Sequence, residues 1–329
     1  MGGMKAALCC WLLIGASAAS AEPLAHTYSI VARDPETGNF GVAVQSHWFQ
    51  VGTAVPWAEA GVGAVATQSF VRLDYGPLGL AAMKQGKSAQ EALDALLAAD
   101  PGKEVRQVAM VDRQGRAASW TGGKCIPAAG HQSGKGYSVQ ANLMDKPTVW
   151  GAMARAYEAA KGDFAERLLA ALEAAEGEGG DIRGRQSAAL LIVRAESTGK
   201  SWEDRLVDLR VDDHPAPLVE LRRLLGLHQA YQEMNQGDDA FARGEVDGAL
   251  EHYSRAAKLA PEVAELPFWQ AVTLFAGGRE DAALAIFRQV FAADSRWARL
   301  VPRLPAAGLL PNEPAKIERI LAVAPAARP

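Results

Sequence analysis

The chain has 329 residues, 49% of them hydrophobic, and its 34 lysines and arginines against 38 aspartates and glutamates give a formal net charge of −4 at pH 7. This length allows one large domain and a second, smaller one. Because basic residues are dispersed among acidic ones, the chain has neither a nucleic-acid footprint nor an acidic tail, and we expect no nucleic-acid partner.

The first 21 residues have the pattern of a secretion signal. Lys5 supplies a positive charge, residues 6–15 are apolar but too few to span a bilayer, and a small-x-small motif ends at Ala21. We therefore predict a signal peptide over 1–21, a mature chain that begins at Glu22, and a periplasmic or secreted protein. No later apolar run is long enough to predict a membrane span.

Strands and helix pairs alternate after the signal. Period-two patterns and turn residues predict strands over 27–33, 40–44, 51–56, 61–70, 105–111, 117–120, 136–143, 187–194 and 204–211. Helices are predicted between them over 75–85, 88–100 and 149–160, and from 163. Ser88, with Glu91 three residues later, predicts a capping box at the start of the second of these helices. This order favours an α+β fold of two stacked sheets covered by helices on both outer faces, a four-layer αββα sandwich over 22–215.

Residues 216–329 form a second predicted domain, which is all-α. A 34-residue period, typical of tetratricopeptide repeats, relates Gly244, Ala249, Tyr253 and Ala256 to Gly278, Ala283, Phe287 and Val290. Helix 217–237 and the tail 297–321 are expected to cap the two repeats. The sequence leaves open whether this tetratricopeptide-like domain binds a ligand or is a stabilising or dimerising appendage.

Thr27 opens the first strand, and two interpretations of it stand side by side. A threonine at a strand start is ordinary β-propensity. A threonine hydroxyl becomes a nucleophile when a base lies beside it, and a free α-amine on the same residue, with a pKa of roughly 8, is such a base. The second interpretation requires that the chain be cleaved after His26, since five residues otherwise precede Thr27 in the mature protein.

Several motifs resemble, in order, the bacterial family catalogued as domain of unknown function 1028: TYSIVARDPETGNFGVAVQS, GVGAVATQS, CIPAAGH, ANL and GGDIRGRQSAALLIVR, within about 27–225. That family resembles N-terminal nucleophile hydrolases, which have an αββα fold and cleave amide bonds with an N-terminal Thr, Ser or Cys. The resemblance implies this role for Thr27. The C-terminal part is similar to an extension of some members that is proposed to bind peptidoglycan.

Other polar residues fall at strand ends of the expected site. His47 is a candidate base if the amine is blocked, or an exposed histidine, and Ser46 could face the same cleft. Gln68 could orient a substrate or cap a strand edge. Asn142, which resembles a family asparagine, could donate to an oxyanion or form a turn.

The segment 181–187 is the densest polar block of the chain. Arg185, followed by Gln186, could hold a substrate carboxylate, or could pair internally with Asp181 or Asp145. Cys125, the lone cysteine after the signal, is interpreted as a packed small hydrophobe. No HExxH or CxxC motif occurs, and we expect neither a metal nor another cofactor.

Two function classes follow. The first is an exported amide hydrolase that acts on a small peptide, an acyl amino acid or a cell-wall fragment. The second is a catalytically silent binding protein for peptide or peptidoglycan. The alanine-rich helical surfaces would also suit a homodimer.

Overall fold

The computed structural model describes residues 24–25 and 27–325. The predicted signal peptide and its cleavage site lie outside the described residues. In chain order the described strands are β1 (Leu24–Ala25), β2 (Thr27–Arg33), β3 (Phe40–Ser46), β4 (Pro56–Glu59), β5 (Gly63–Phe70), β6 (Arg106–Asp112), β7 (Ala117–Thr121), β8 (Gly130–Gly134), β9 (Tyr137–Ala141), β10 (Ser187–Val193) and β11 (Arg205–Val211).

The described helices follow the same numbering. They are α1 (Tyr75–Lys84), α2 (Ala89–Ala98), α3 (Val149–Ala159), α4 (Phe164–Gly177), α5 (Ser201–Asp204), α6 (Pro217–Ala242), α7 (Val246–Leu259), α8 (Glu265–Ala276), α9 (Glu280–Ala293) and α10 (Pro314–Leu321).

The strands form two antiparallel sheets. The first sheet has the order β1-β5-β6-β7, with β4 also paired to β5, and the second has the order β11-β10-β3-β2-β9-β8. Their facing sides bury a common apolar cluster that includes Val42, Val44, Ala64, Ala66 and Ala109. The mixed α+β class predicted from the sequence is confirmed.

Helices cover the outer face of each sheet. On the first sheet, Val65 and Met110 pack with Leu93 of α2 and with residues of α1. On the second sheet, Ile30 and Val139 pack with residues of α3, α4 and the start of α6. Gly41 makes the close approach of α4 possible, because a Cβ there would lie 2.5 Å from Leu168 Cδ1. Alternate residues of each strand therefore point either to the helices or to the space between the sheets.

The predicted capping box at the start of α2 is present. The Ser88 hydroxyl accepts a hydrogen bond from the Glu91 backbone N–H at 3.2 Å, and the Glu91 carboxylate accepts one from the Ser88 N–H at 2.8 Å.

We expect Ser88→Ala to lower the free energy of unfolding by about 1 kcal/mol, because the Glu91 N–H loses its acceptor and the Glu91 carboxylate loses its bond to the Ser88 hydroxyl. Urea unfolding followed by circular dichroism measures this change. Ser201→Ala, at an exposed serine, is the matched control and should leave the midpoint unchanged. Equal effects of the two substitutions would contradict the capping role.

One predicted strand differs from the observed structure, and one observed strand was not predicted. Residues 51–56 were expected to form a strand, but Val51–Thr53 is a 3-10 turn, and the strand β4 begins only at Pro56. Gln50 precedes the turn with a φ of 55°, and the Thr53 hydroxyl donates to the Gln50 carbonyl, so local turn bonding overrides β-propensity. The edge strand β8 was missed, because its residues, GHQSG, are polar and largely exposed.

The C-terminal region is helical from α6 to α10. The 34-residue period relates equivalent positions: Ala249 in α7 and Ala283 in α9 are both fully buried, and so is Phe287, the counterpart of Tyr253. Helix α6 is longer than predicted and ends at Ala242, and the predicted cap 297–321 consists of 3-10 turns and α10. Leu221 and Leu225 of α6 belong to the core of the sandwich, so this helix joins the two parts.

Candidate functional site

Thr27 is the first residue of β2 and points into the space between the sheets. It pairs in register with Ser46 of β3, and its hydroxyl donates to the Ser46 hydroxyl at 3.1 Å. Its side chain is fully buried. The Thr27 carbonyl accepts hydrogen bonds from the Gln68 side chain at 3.0 Å, from the Asn142 backbone N–H at 3.1 Å, and from the Asn142 side chain at 3.4 Å.

Polar residues form a row across the second sheet at this end. Ser187 of β10 lies in register with Ser46, Ser46 with Thr27, and Asn142 follows β9 beside Thr27. The Ser187 hydroxyl donates to the Trp48 carbonyl and accepts from the Val51 N–H, so it holds the turn that follows β3. Four of the predicted site residues, Thr27, Ser46, Gln68 and Asn142, are therefore brought together.

Backbone carbonyls fix the orientation of the buried amides around Thr27. Because a carbonyl only accepts, Gln107 Nε2 must face Ala141 O at 2.9 Å and Gly130 O at 3.2 Å, and Gln107 Oε1 must face the other way. That oxygen accepts from Gln68 Nε2 at 2.7 Å and from Asn142 Nδ2 at 2.9 Å. Both N–H bonds of the Asn142 amide thus point to protein acceptors.

The same logic gives the buried part of the network a single direction. Gln140 donates to Ser29 at 2.5 Å, Ser29 donates to Gln68 Oε1 at 2.6 Å, and Gln68 donates to Gln107. Gln107 Nε2 also lies 2.9 Å from the Thr121 hydroxyl, and that hydroxyl lies 2.9 Å from His131 Nδ1. Hydrogen-bond contacts therefore connect the buried core to an exposed histidine, and aligned bonds of this kind strengthen one another.

Five residues of this network were not predicted from the sequence: Thr121 and His131 at its outer end, and Ser29, Gln107 and Gln140 in the core. The last three are fully buried. The available signal was a polar residue inside an apolar strand, as in RQVAMVD and YSVQA.

The other predicted site residues, His47, Arg185 and Gln186, bond to residues other than Thr27. The His47 backbone N–H donates to Asp181 at 3.2 Å, and its ring Nδ1 is buried beside Gly184 without a partner among the described residues. Arg185 forms an ion pair with Glu176, and Gln186 donates to Asp213 at 3.2 Å. The internal partner of Arg185 is therefore Glu176, and Asp181 pairs with Arg183 instead.

Burial changes the acidity of groups near the site. Burial, reinforced by Glu176, raises the pKa of the Tyr28 phenol well above its usual range. Burial also raises the pKa of the Cys125 thiol, whose sulfur donates to the Arg106 carbonyl at 3.3 Å. Cys125 is consequently a packed thiol and not a nucleophilic thiolate. Desolvation lowers the pKa of His131, which favours its neutral form.

A surface pocket of about 720 Å³ lies where this network reaches the surface. We call it the loop pocket, because the segment between β7 and β8 forms most of its wall; its side chains include Thr121, Cys125, Pro127, His131, Pro147 and Trp150. Within that segment, the Ile126 and Ala128 carbonyls accept from the N–H groups of Leu143 and Met144. The wall of the pocket therefore runs beside the backbone that follows Asn142.

A second cavity, also of about 720 Å³, lies at the other end of β2 and β3. This interdomain groove runs between the turn 34–39, the start of α4, and α6, and its lining includes Asp163, Leu225, Gln229, Gln232 and Gln236. It has no residue in common with the polar row around Thr27.

None of the described helices is long and apolar enough to cross a membrane. Among all the described residues, no group of three or more His, Cys, Asp or Glu side chains is placed to hold a metal ion.

Comparison with known proteins identifies relatives of the sandwich. A family model described as a family of unknown function, DUF1028, matches residues 27–221. The crystal structure of protein SPO2555 from Silicibacter pomeroyi, a protein of the same DUF1028 family, is similar at 33% identity and a TM-score of 0.55, over 61% of this chain and 88% of that one. No curated protein matches the sequence.

Proposed function

Because this chain belongs to the DUF1028 family, whose function is unknown, its activity has to be inferred from the site, and we propose that it is an amide hydrolase of the N-terminal nucleophile type with Thr27 as the nucleophile. One observation carries this proposal. Thr27 opens a central strand, faces the space between two sheets, and has its hydroxyl and its carbonyl held by separate neutral groups.

The surroundings of Thr27 indicate which base the reaction would use. Ser46, Gln68 and Asn142 are neutral, and none of them removes a proton from a hydroxyl at neutral pH. No described histidine, carboxylate or lysine hydrogen-bonds to the Thr27 hydroxyl. A free α-amine on Thr27 would supply the missing base, so the proposal requires removal of the residues that precede it.

In this proposal the segment before Thr27 blocks the site until it is removed. Leu24 and Ala25 pair with Phe70 and Ser69 of β5, directly beyond Gln68. The chain therefore crosses from the first sheet to the second immediately before Thr27. Cleavage between residues 26 and 27 would free the amine at this end of the sandwich, next to a hydroxyl that is otherwise fully buried.

The proposed reaction assigns a role to each neighbour. The Thr27 oxygen attacks the substrate carbonyl carbon, its proton passes to the α-amine, and the resulting ammonium protonates the leaving amine. Water then hydrolyses the threonine ester. Gln68 and Asn142 are positioning residues, since their amides hold the Thr27 carbonyl, and Ser46 orients the hydroxyl.

The test compares two starting points of the same chain. One protein begins at Glu22 and the other, released from a cleavable fusion, begins at Thr27. Each is assayed for amine release from a panel of N-acyl amino acid amides. We expect turnover only by the chain that begins at Thr27, because only this chain has the base. Equal turnover by both would remove the α-amine from the mechanism, and absence of turnover by both would contradict the hydrolase proposal.

A second candidate is non-catalytic binding, which the interdomain groove supports. Its volume suits a small ligand, and the exposed amides of Gln232 and Gln236, on the same side of α6 as Gln229, could bind the polar groups of a peptide or glycan. Binding of muropeptides by a chain that turns over no amide would favour this candidate.

The proposal also covers the location of the protein, the fold of its C-terminal part and its partners. The N-terminal pattern supports a periplasmic or secreted protein, and the 34-residue spacing supports a tetratricopeptide-like fold for α6 to α10. The proposed partner is a small amide or peptide, and peptidoglycan is the polymer from which such a peptide would come. A homodimer through the alanine-rich helices is proposed on the sequence alone.

A further inference from the structure

The loop pocket has an uncharged lining with one aromatic wall. Its side chains carry no formal charge at pH 7 while His131 is neutral, in contrast to the interdomain groove, which includes Asp34, Asp163 and Glu233. A charged ligand group would lose hydration there without gaining a counter-ion. The pocket therefore selects neutral groups.

Trp150 provides the apolar surface of the pocket. It lies in the first turn of α3, and a Cβ on Gly130 would come within 2.6 Å of the indole, so glycine at this position lets the ring pack on the backbone of β8. Pro127 and Pro147 add rigid apolar surface around it. A flat ring placed against this wall would bury aromatic area at little entropic cost.

His131 provides the polar group of the pocket. Its Nδ1 lies 2.9 Å from the Thr121 hydroxyl, which can donate to it. A neutral imidazole that accepts at Nδ1 carries its hydrogen on Nε2. In this tautomer Nε2 is a hydrogen-bond donor, and a carbonyl oxygen is the neutral partner that fits it.

We propose that the loop pocket binds the aromatic acyl group of an N-acyl amino acid amide, with its ring packed on Trp150 and its acyl carbonyl accepting from His131 Nε2. The assignment of this ligand as a substrate rests on the proposed function. Hydrogen bonds from His131 through Thr121, Gln107 and Asn142 to the Thr27 carbonyl connect the pocket to the residue of the nucleophile, and the amino acid portion would extend toward Thr27.

Binding is measured separately from turnover. The protein is the full mature chain with Thr27→Ala, and the probes are N-benzoylglycinamide and its aliphatic counterpart, N-acetylglycinamide. Titration followed by NMR gives the Kd of each probe, and long-range proton–nitrogen spectra report which nitrogen of His131 is protonated. We expect the benzoyl probe to bind at least about tenfold more tightly, because only that probe has a ring to pack on Trp150.

Two variants test the proposed contacts of the benzoyl probe with Trp150 and His131. Trp150→Leu should weaken binding of the benzoyl probe about tenfold, and His131→Phe should weaken it roughly three- to tenfold. Trp202→Leu, at a tryptophan that is 76% exposed, is the matched control and should leave the Kd unchanged. Thermal melting of each variant checks that it is folded. If Trp150→Leu proves unfolded, the His131 nitrogen spectrum of the parent chain and its change on addition of the probe provide the test instead.

The outcomes separate the two claims. Benzoyl and acetyl probes that bind equally, or a Trp150→Leu chain that is folded and binds normally, would overturn the loop pocket proposal. A protonated Nδ1 on neutral His131 would overturn the donor assignment. Selective binding by a chain whose Thr27-start form has no amidase activity would leave the pocket standing and remove the hydrolase. Amide turnover by the Thr27-start chain without selective binding of the benzoyl probe would support the hydrolase and overturn the loop pocket proposal.

Discussion

Thr27→Ala, introduced into the chain that begins at Thr27, is expected to lower kcat/KM for amide hydrolysis at least about 1,000-fold, since loss of a covalent nucleophile removes the reacting atom itself. The fold should survive, because the substitution removes one hydroxyl hydrogen bond, to Ser46. Steady-state amine release measures the effect, and circular dichroism confirms the fold.

Thr27→Ser is the matched variant for this prediction. It keeps both the hydroxyl and the α-amine, and we expect it to retain activity within about tenfold of the parent chain. Ser46→Ala, which removes the acceptor of the Thr27 hydroxyl, should give an intermediate loss. A Thr27→Ala chain that retains full activity would place the nucleophile elsewhere.

Gln107→Leu is expected to lower the free energy of unfolding by about 3–5 kcal/mol. Gln107 is fully buried. With leucine at this position, the side-chain N–H groups of Gln68 and Asn142 would lose their acceptor, and the Ala141 carbonyl would lose a donor. Each buried polar group left unsatisfied costs about 1–3 kcal/mol. Urea unfolding gives the value.

Gln90→Leu is the matched control for this second prediction. Gln90 is exposed on α2, where its side chain bonds to Asp94, and surface substitutions of this kind change stability by less than about 0.5 kcal/mol. If Gln107→Leu unfolds at the same urea concentration as Gln90→Leu, the buried amides do not form a connected hydrogen-bond network.

The sequence predicted the elements whose signals are local. The capping box at Ser88 and the apolar run of β10 were found because their signals lie within a few neighbouring residues. The polar edge strand β8 has no such pattern, since it is defined by pairing with β9. The turn at Val51–Thr53 depends on Gln50, whose left-handed backbone has no sequence marker.

The candidate site was predictable only in part, because it is built across two sheets. Thr27, Ser46 and Asn142 lie at strand ends, and such positions can be read from the sequence. Gln107 meets Asn142 from the opposite sheet, and that contact depends on how the sheets stack. The partner of Arg185 is Glu176, on a helix that packs against the other face of β2, and spacing along the chain gives no indication of it.

N-terminal sequencing and intact mass of the mature protein purified from its native host test the central claim most directly. The α-amine mechanism predicts a first residue of Thr27 and a mass that corresponds to a chain starting there, and the Thr27→Ala form should keep the residues immediately before position 27. A mature wild-type chain that still carries those residues and nevertheless hydrolyses an amide would contradict the claim, because its Thr27 nitrogen would be an amide and could not act as the base.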